Sequence, residues 1–286
     1  MKLVRYGSTG IEKPGLISED GQLRDISSVV SEIDGHWMRS EGTEALAKEI
    51  NSNIEQFPLV LKENLRIGAP MARPGNIIAI GLNYEDHAVE AGMDIPDEPV
   101  IFCKAPSSYS GPYDPILVPP KSIKTDWEVE LGIVIGREAK YISNKEEALK
   151  YIFGYCIVND VSERKLQLEH GPTWIKGKSA QSFCPTGPWL VTADEVKDPN
   201  NLYMKTTVNG TVRQNGSSKT MIFDIAHIVW YCSQFMVLEP GDLIATGTPP
   251  GVGMGYNPPV YLTEGDIVEL EIEGLGKQKQ SVILTQ

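Results

Sequence analysis

Short apolar segments recur along most of this chain, cut from one another by Gly and Pro. From Pro99 onward they read "PVIFCKAP", "EVELGIVIG", "YIFGYCIVND", "GPWLVTA", "LYMKTTVNGTVRQ", "DLIATGTP" and "DIVELEIEGLGKQKQSVI". Each is strand-sized and bounded by turn residues, which is how strands rather than helices are punctuated. Helical signals are few: "GTEALAKEINSN", "NKEEALKYI" and "IFDIAHIVWYCSQF", the last with Asp224 as an early cap. No regular strand–helix alternation appears, which argues against a Rossmann fold or a TIM barrel. The pattern predicts a β-rich α+β fold of rolled, mainly antiparallel or mixed sheets.

Residues 1–68 form a block of their own. "KLVRYG", "PGLISEDGQLRDIS" and "VVSEID" predict two or three short strands around an Asp-Gly turn, ahead of the polar helical stretch. The phrase "RIGAPMARPGNIIAIGLNY" then leads into a buried strand, "NIIAIG". The division drawn is a small N-terminal α/β domain, 1–68, and a main domain, 69–286. Two Asn-Gly pairs, at Asn209 and Asn215, read as tight hairpin turns. The glycines of "TPPGVGMGYNPP" are followed by Tyr256, Asn257, Pro258 and Pro259. A dinucleotide loop needs a helix there, so a nucleotide site is excluded.

Charge narrows the partners. Of 286 residues, 26 are Lys or Arg and 38 are Asp or Glu, a net charge of −12. That surface repels polyanions, so neither nucleic acid nor an anionic membrane is expected as a partner. A small anionic substrate then needs a metal or a focused basic pocket. The start lacks the apolar run of a signal peptide, and no window approaches a membrane span. The four cysteines are dispersed without a C-x-x-C pair and read as reduced thiols of a cytoplasmic protein, with neither disulfides nor zinc.

Three acidic residues stand at strand ends. Glu128 and Glu130, in "KTDWEVELGIVIG", are two apart and share a strand face, and Asp160 closes "YIFGYCIVND". All-oxygen ligation without a nearby His or Cys cluster suits Mg²⁺ or Mn²⁺. Spacing alone leaves an exposed strand-edge pair as the alternative. In "GLNYEDHAVEAG", His87 and Glu90 are three apart on one helical turn, so the carboxylate can orient the imidazole for activating water. A surface His–Glu pair is the bland alternative. The run "VSERKLQLEHGPTWIKGKSAQSFCPTGPW" carries Arg164, Gln167, Lys176 and Lys178 and reads as a mobile lid or a solvated loop, with Trp174 covering a pocket or anchoring the loop. His227 is expected to be a buried structural residue.

The order "IGLNYEDH..E", "WEVELGIVIG", "GYCIVNDVSER", "KGKSAQSFCPTGPW", "NG..RQ", "PGDLIATGTPPGVG" resembles the fumarylacetoacetate hydrolase family from Arg73 to the C-terminus. The amino-terminal block resembles bacterial members acting on 2,4-diketo-3-deoxy sugar acids of the L-rhamnonate and L-fuconate type. The resemblance implies a mixed β-sandwich roll and a Mg²⁺- or Mn²⁺-dependent enzyme cleaving a carbon–carbon bond in a diketo acid, working as a homodimer. It makes Glu128, Glu130 and Asp160 metal ligands, His87 and Glu90 the water-activating dyad, and Lys178 the stabiliser of substrate charge. Lys104, Gln167 and Thr248 match substrate-contacting positions. Longer members acting on fumarylacetoacetate itself recruit a fourth carboxylate that has no counterpart in this sequence, and their amino-terminal domain is much larger, so fumarylacetoacetate is not the expected substrate. Acylpyruvate hydrolysis, oxaloacetate decarboxylation or tautomerisation, and hydroxymuconate-type isomerisation are the enzymatic alternatives. An inactive keto-acid-binding relative is the non-enzymatic one.

Overall fold

Val129, Leu131, Ile133 and Ile135 point to one face of a single strand, Val129–Ile135, and Glu130, Gly132 and Val134 to the other. All seven residues are buried, because this strand is central in a nine-stranded sheet and both faces are covered. The computed structural model describes residues 1–40, 42–61, 65–171 and 173–285. From edge to edge the sheet runs Leu23–Asp25, Lys13–Ile17, Lys2–Tyr6, Leu190–Thr192, Ile152–Asn159, Val129–Ile135, Leu243–Ala245, Ile77–Gly81, Val100–Lys104. Most neighbours are antiparallel, but Leu243–Ala245 runs parallel to Ile77–Gly81, so the sheet is mixed. A five-stranded sheet, in the order Thr211–Ser217, Tyr203–Val208, Ile267–Ile272, Gly276–Leu284, Ile116–Val118, packs against it.

Two cores result. Between the sheets lie Val129, Leu131, Ile133, Tyr155 and Ile157 with Met204, Val268 and Leu270, all buried. On the opposite face Val134, Cys156, Leu243 and Ala245 pack with Leu3, Ile26, Ile33, Trp37, Leu46 and Phe57 of the amino-terminal block. Burying these side chains is worth roughly 1.5–3 kcal/mol each relative to exposure. The sheet runs across the boundary drawn at Gly68, because Lys2 and Leu3 pair with Val191 and Leu190. The chain therefore has the β-rich mixed α+β fold expected, with a small β/α region at its start.

Local signals explain most elements. Asn144 caps the helix Lys145–Ala148, and Asp224 accepts from His227 N to start the helix Ile225–Ser233. Asn209 and Gly210, at φ 51° and 75°, turn the hairpin between Tyr203–Val208 and Thr211–Ser217. Asn215-Gly216 does not turn. It lies inside Thr211–Ser217, paired with Lys205 and Met204. A Cβ on Gly216 would stand 2.6 Å from Pro249 Cβ, so this glycine serves close approach of the "TGTPP" loop. His227 is half-exposed rather than buried, its ring set among Phe223, Trp230 and Tyr231. No helix among the described residues is long and apolar enough to cross a membrane.

Candidate metal centre and active-site cleft

Strand register brings the three acids together. Val158 pairs with Glu130 and Asn159 with Val129, and Asp160 N donates to Glu128 O at 3.0 Å. Directly opposed residues share a face, so Glu128, Glu130 and Asp160 project to the same side at one end of the sheet. One carboxylate oxygen from each lies within 4.8 Å of the others, and all three residues are buried. The exposed strand-edge alternative fails on that burial.

Cations hold two of the three. Lys178 Nζ lies 2.6 Å from both Glu128 Oε2 and Asp160 Oδ2, and Arg164 Nη2 lies 2.7 Å from Glu128 Oε1. Burial pushes the Glu128 carboxyl up, but Lys178 and Arg164 outweigh it and hold the group below the usual carboxylate range. Among the described residues, Glu130 has only the Gly247 N–H as a hydrogen-bond donor, at 2.9 Å. Burial, then the charges of Asp160 and Glu128, carry its carboxyl well above the usual range. Burial opposes the Lys178 ammonium, yet Asp160 and Glu128 raise its pKa above the ordinary lysine value.

The donor set fits a hard dication. Its oxygens are all carboxylate, converging and buried, and no imidazole or thiolate among the described residues joins them. Among the described residues, five acids, Glu90, Asp126, Glu128, Glu130 and Asp160, face three cations, Lys104, Arg164 and Lys178. With all five acids ionised the surplus is two negative charges, which one Mg²⁺ or Mn²⁺ would neutralise.

His87 sits on the short helix Glu85–Glu90, its Nδ1 3.3 Å from Glu90 Oε2. Gly251 N donates to both Glu90 oxygens, at 3.0 and 3.1 Å, which fixes the carboxylate. His87 lines a cleft together with Glu128, Glu130, Asp160, Arg164, Gln167, Lys178 and Thr248. Gln167 is tied to Arg164 Nη1 at 3.0 Å. The Thr248 hydroxyl donates to Val129 O at 2.9 Å and accepts from Gln214 Nε2 at 2.7 Å. Lys104 lies beneath the cleft rather than in its wall: fully buried, its ammonium bonds Asp160 Oδ1 at 2.5 Å, Val161 O and the Lys178 carbonyl. It positions Asp160 and the Lys178 main chain.

The expected lid contains two short helices, Arg164–Leu168 and Ile175–Lys178, and only Pro172 within it lies outside the described residues. Trp174 packs edge-on against Phe102, ring centroids 5.3 Å apart. A Cβ on Gly81 would stand 2.3 Å from its ring, so the lid rests on the strand Ile77–Gly81 through a contact that only glycine permits. His170 stays exposed, outside the cleft wall.

Sequence reasoning missed Asp126. Fully buried, it accepts from Gly253 N at 2.6 Å, Trp127 N at 2.8 Å, Met254 N at 3.0 Å and Arg164 Nε at 2.8 Å. It thus joins the cationic residue of the lid to the glycine loop that clamps Glu90. The spacing of Asp126, Glu128 and Glu130 by two was the available signal. Gln214, from the "NG..RQ" hairpin, was also missed: it accepts from Val129 N and Thr206 Oγ1 and donates to Thr248 and Pro249 O.

A family model described as the C-terminal part of fumarylacetoacetate (FAA) hydrolase matches residues 76–283. A 2,4-didehydro-3-deoxy-L-rhamnonate hydrolase from Sphingomonas sp. (strain SKA58) is 50% identical over 283 residues, 99% of this chain and 96% of that one. Among solved structures, a fumarylacetoacetate hydrolase from psychrophilic Exiguobacterium antarcticum is 37% identical, with a TM-score of 0.85 and full coverage of both chains. A maleylpyruvate hydrolase from Sphingobium sp. SYK-6, in complex with manganese(II) and pyruvate, is 30% identical, with a TM-score of 0.82 and full coverage of both.

Proposed function

The chain belongs to the fumarylacetoacetate hydrolase family, and on that premise we propose that it hydrolyses the C3–C4 bond of a 2,4-diketo acid. The substrate in this reading is 2,4-diketo-3-deoxy-L-rhamnonate or its L-fuconate counterpart, and the products are pyruvate and L-lactate. The identity to the Sphingomonas rhamnonate hydrolase along nearly the whole chain supports the substrate, and the buried Glu128–Glu130–Asp160 cluster carries the chemistry.

Mg²⁺ or Mn²⁺ held by these three carboxylates would supply Lewis acidity and a template for the substrate's carboxylate and 2-keto oxygens. Glu90, locked by Gly251 N, holds the His87 ring so that it takes a proton from water. The resulting hydroxide adds to C4. The C3–C4 bond then breaks, and its electron pair passes to C3 and onto the 2-keto oxygen. Lys178 stabilises that charge, and C3 regains a proton from the imidazolium. Arg164, fixed by Asp126 and Glu128, keeps Glu128 in place while the lid excludes water. Lys104 holds Asp160 from beneath.

Decarboxylation and keto–enol exchange of oxaloacetate need the same keto-acid end but no activated water, and the His87–Glu90 pair favours hydrolysis over them. The test is a screen of 2,4-diketo-3-deoxy sugar acids, short acylpyruvates and oxaloacetate, with Mg²⁺, Mn²⁺ or EDTA, following pyruvate and keto–enol exchange. Metal-dependent pyruvate release from the diketo acids is the expected result. Turnover of oxaloacetate alone, or turnover unaffected by EDTA, would refute it. The same reading includes a homodimer, which light scattering measures directly.

A further inference from the structure

One aliphatic residue in the cleft is held where only glycine sits at ease. Leu82, between the strand Ile77–Gly81 and the His87 helix, has φ 54°. The left-handed region brings Cβ against the backbone, so a leucine there costs free energy that glycine avoids. The loop is forced into this shape. Asn83 donates to Phe223 O at 3.1 Å and Thr246 O at 2.8 Å, its Oδ1 accepts from Phe223 N at 2.8 Å, and its carbonyl accepts from Ile222 N at 2.8 Å.

Such a side chain persists when it does something. Leu82 belongs to neither hydrophobic core among the described residues, and it lines the cleft. Ala91, Met93, Leu168 and Met254 share both properties. The cleft lining therefore combines ionic groups, Glu128 and its partners, with apolar side chains that no core among the described residues explains. The two cations of its lining, Arg164 and Lys178, are already paired with carboxylates. Among the described residues, a second carboxylate on a ligand would meet no unpaired Lys or Arg in this lining.

Resting on the diketo-acid reading above, we propose that Leu82 is a specificity-determining residue. Its strained backbone keeps an apolar wall against the substrate end remote from the keto acid, selecting a short, uncharged, carbon-rich acyl group and rejecting a second carboxylate.

The experiment compares wild type, Leu82→Gly and Leu82→Asn with Mg²⁺ on acylpyruvates of equal length ending in a methyl or a carboxylate. Oxalate inhibition reports the ionic groups alone, and thermal melts report stability. Wild type should prefer the methyl-ended substrate. Leu82→Gly should lose about tenfold in kcat/KM on it, the scale of one apolar contact in a pocket, with oxalate inhibition unchanged and Tm equal or higher. Leu82→Asn, which tolerates the same φ, should keep Tm and lose the preference. A wild type inert on every diketo acid overturns the hydrolase reading and this one with it. An active wild type whose methyl preference survives in Leu82→Gly, or a Leu82→Gly whose Tm falls while kcat/KM holds, overturns this one alone.

Discussion

Replacing Glu130 with Gln should make the metal-free protein more stable and abolish its response to metal. Glu130 is buried against two other carboxylates, takes one hydrogen bond from Gly247 N, and forms no ion pair among the described residues. Burial and the charges of Asp160 and Glu128 raise its carboxyl well above the ordinary 4.5. Keeping such a group in the fold at neutral pH therefore costs free energy relative to the unfolded chain, where the carboxyl ionises freely. Glutamine keeps the acceptor for Gly247 and removes that cost. For a chain of this size each kcal/mol moves Tm by roughly 2 °C, so the variant should melt measurably above wild type in EDTA. Mn²⁺ at a hundredfold excess over Kd adds about 2.7 kcal/mol, roughly 5 °C, to wild type and nothing to the variant. A raised carboxyl penalises folding only above its unfolded pKa, so the variant's advantage should grow as pH rises and disappear near pH 4. Scanning calorimetry at pH 4 and pH 7, with EDTA or Mn²⁺, reads every arm. A lower melt for the variant in EDTA at pH 7, or equal lifts by Mn²⁺, would refute the assignment of Glu130 as an uncompensated ligand.

Three other perturbations separate the site's parts. His87→Ala should lose about 10²–10⁴ in kcat while still binding Mn²⁺ and oxalate by calorimetry; normal turnover would remove the dyad from the mechanism. Asp126→Asn breaks a buried pair with Arg164 and sets an amide NH₂ against backbone donors. It should cost about 3 kcal/mol in urea unfolding, by the scale of broken buried ion pairs, and lower kcat because Arg164 and the Gly251–Met254 loop lose their common anchor. Gly81→Ala places a methyl into the Trp174 ring. It should raise KM and shift tryptophan fluorescence towards the exposed form, at a cost of about 1–3 kcal/mol typical of overpacking.

Much of the site was legible because it obeys strand periodicity. Glu128, Glu130 and Asp160 lie two apart or at a strand end, so one register brings them together. The His87–Glu90 pair followed from helical spacing. What spacing conceals is where a cation's protons go. Lys104 and Lys178 look alike in sequence, yet one lies beneath the cleft and the other lines it, because their strand and helix meet the carboxylates from different sides. Asp126 was hidden because two of its partners are backbone N–H groups more than a hundred residues later. Asn215-Gly216 misled for a related reason: its glycine answers to Pro249, not to a turn. The boundary at Gly68 marks a change of composition, whereas hydrogen bonding carries the sheet across it.

The order of strands in the large sheet has a consequence for how this protein comes into being. The strand bearing Glu130 lies between one that ends at Asn159 and one that starts at Leu243, and the latter pairs in turn with Ile77–Gly81. Such distant partners give a high contact order, and loop closure must precede any reward from pairing. During synthesis the acidic cluster can gather once Asp160 has emerged, yet Gly247, whose N–H clamps Glu130, and Gly251, whose N–H clamps Glu90, arrive some ninety residues later. Until then Glu130 and Glu90 lack their amide donors, and competence for catalysis waits on a loop that emerges well after the acids it holds.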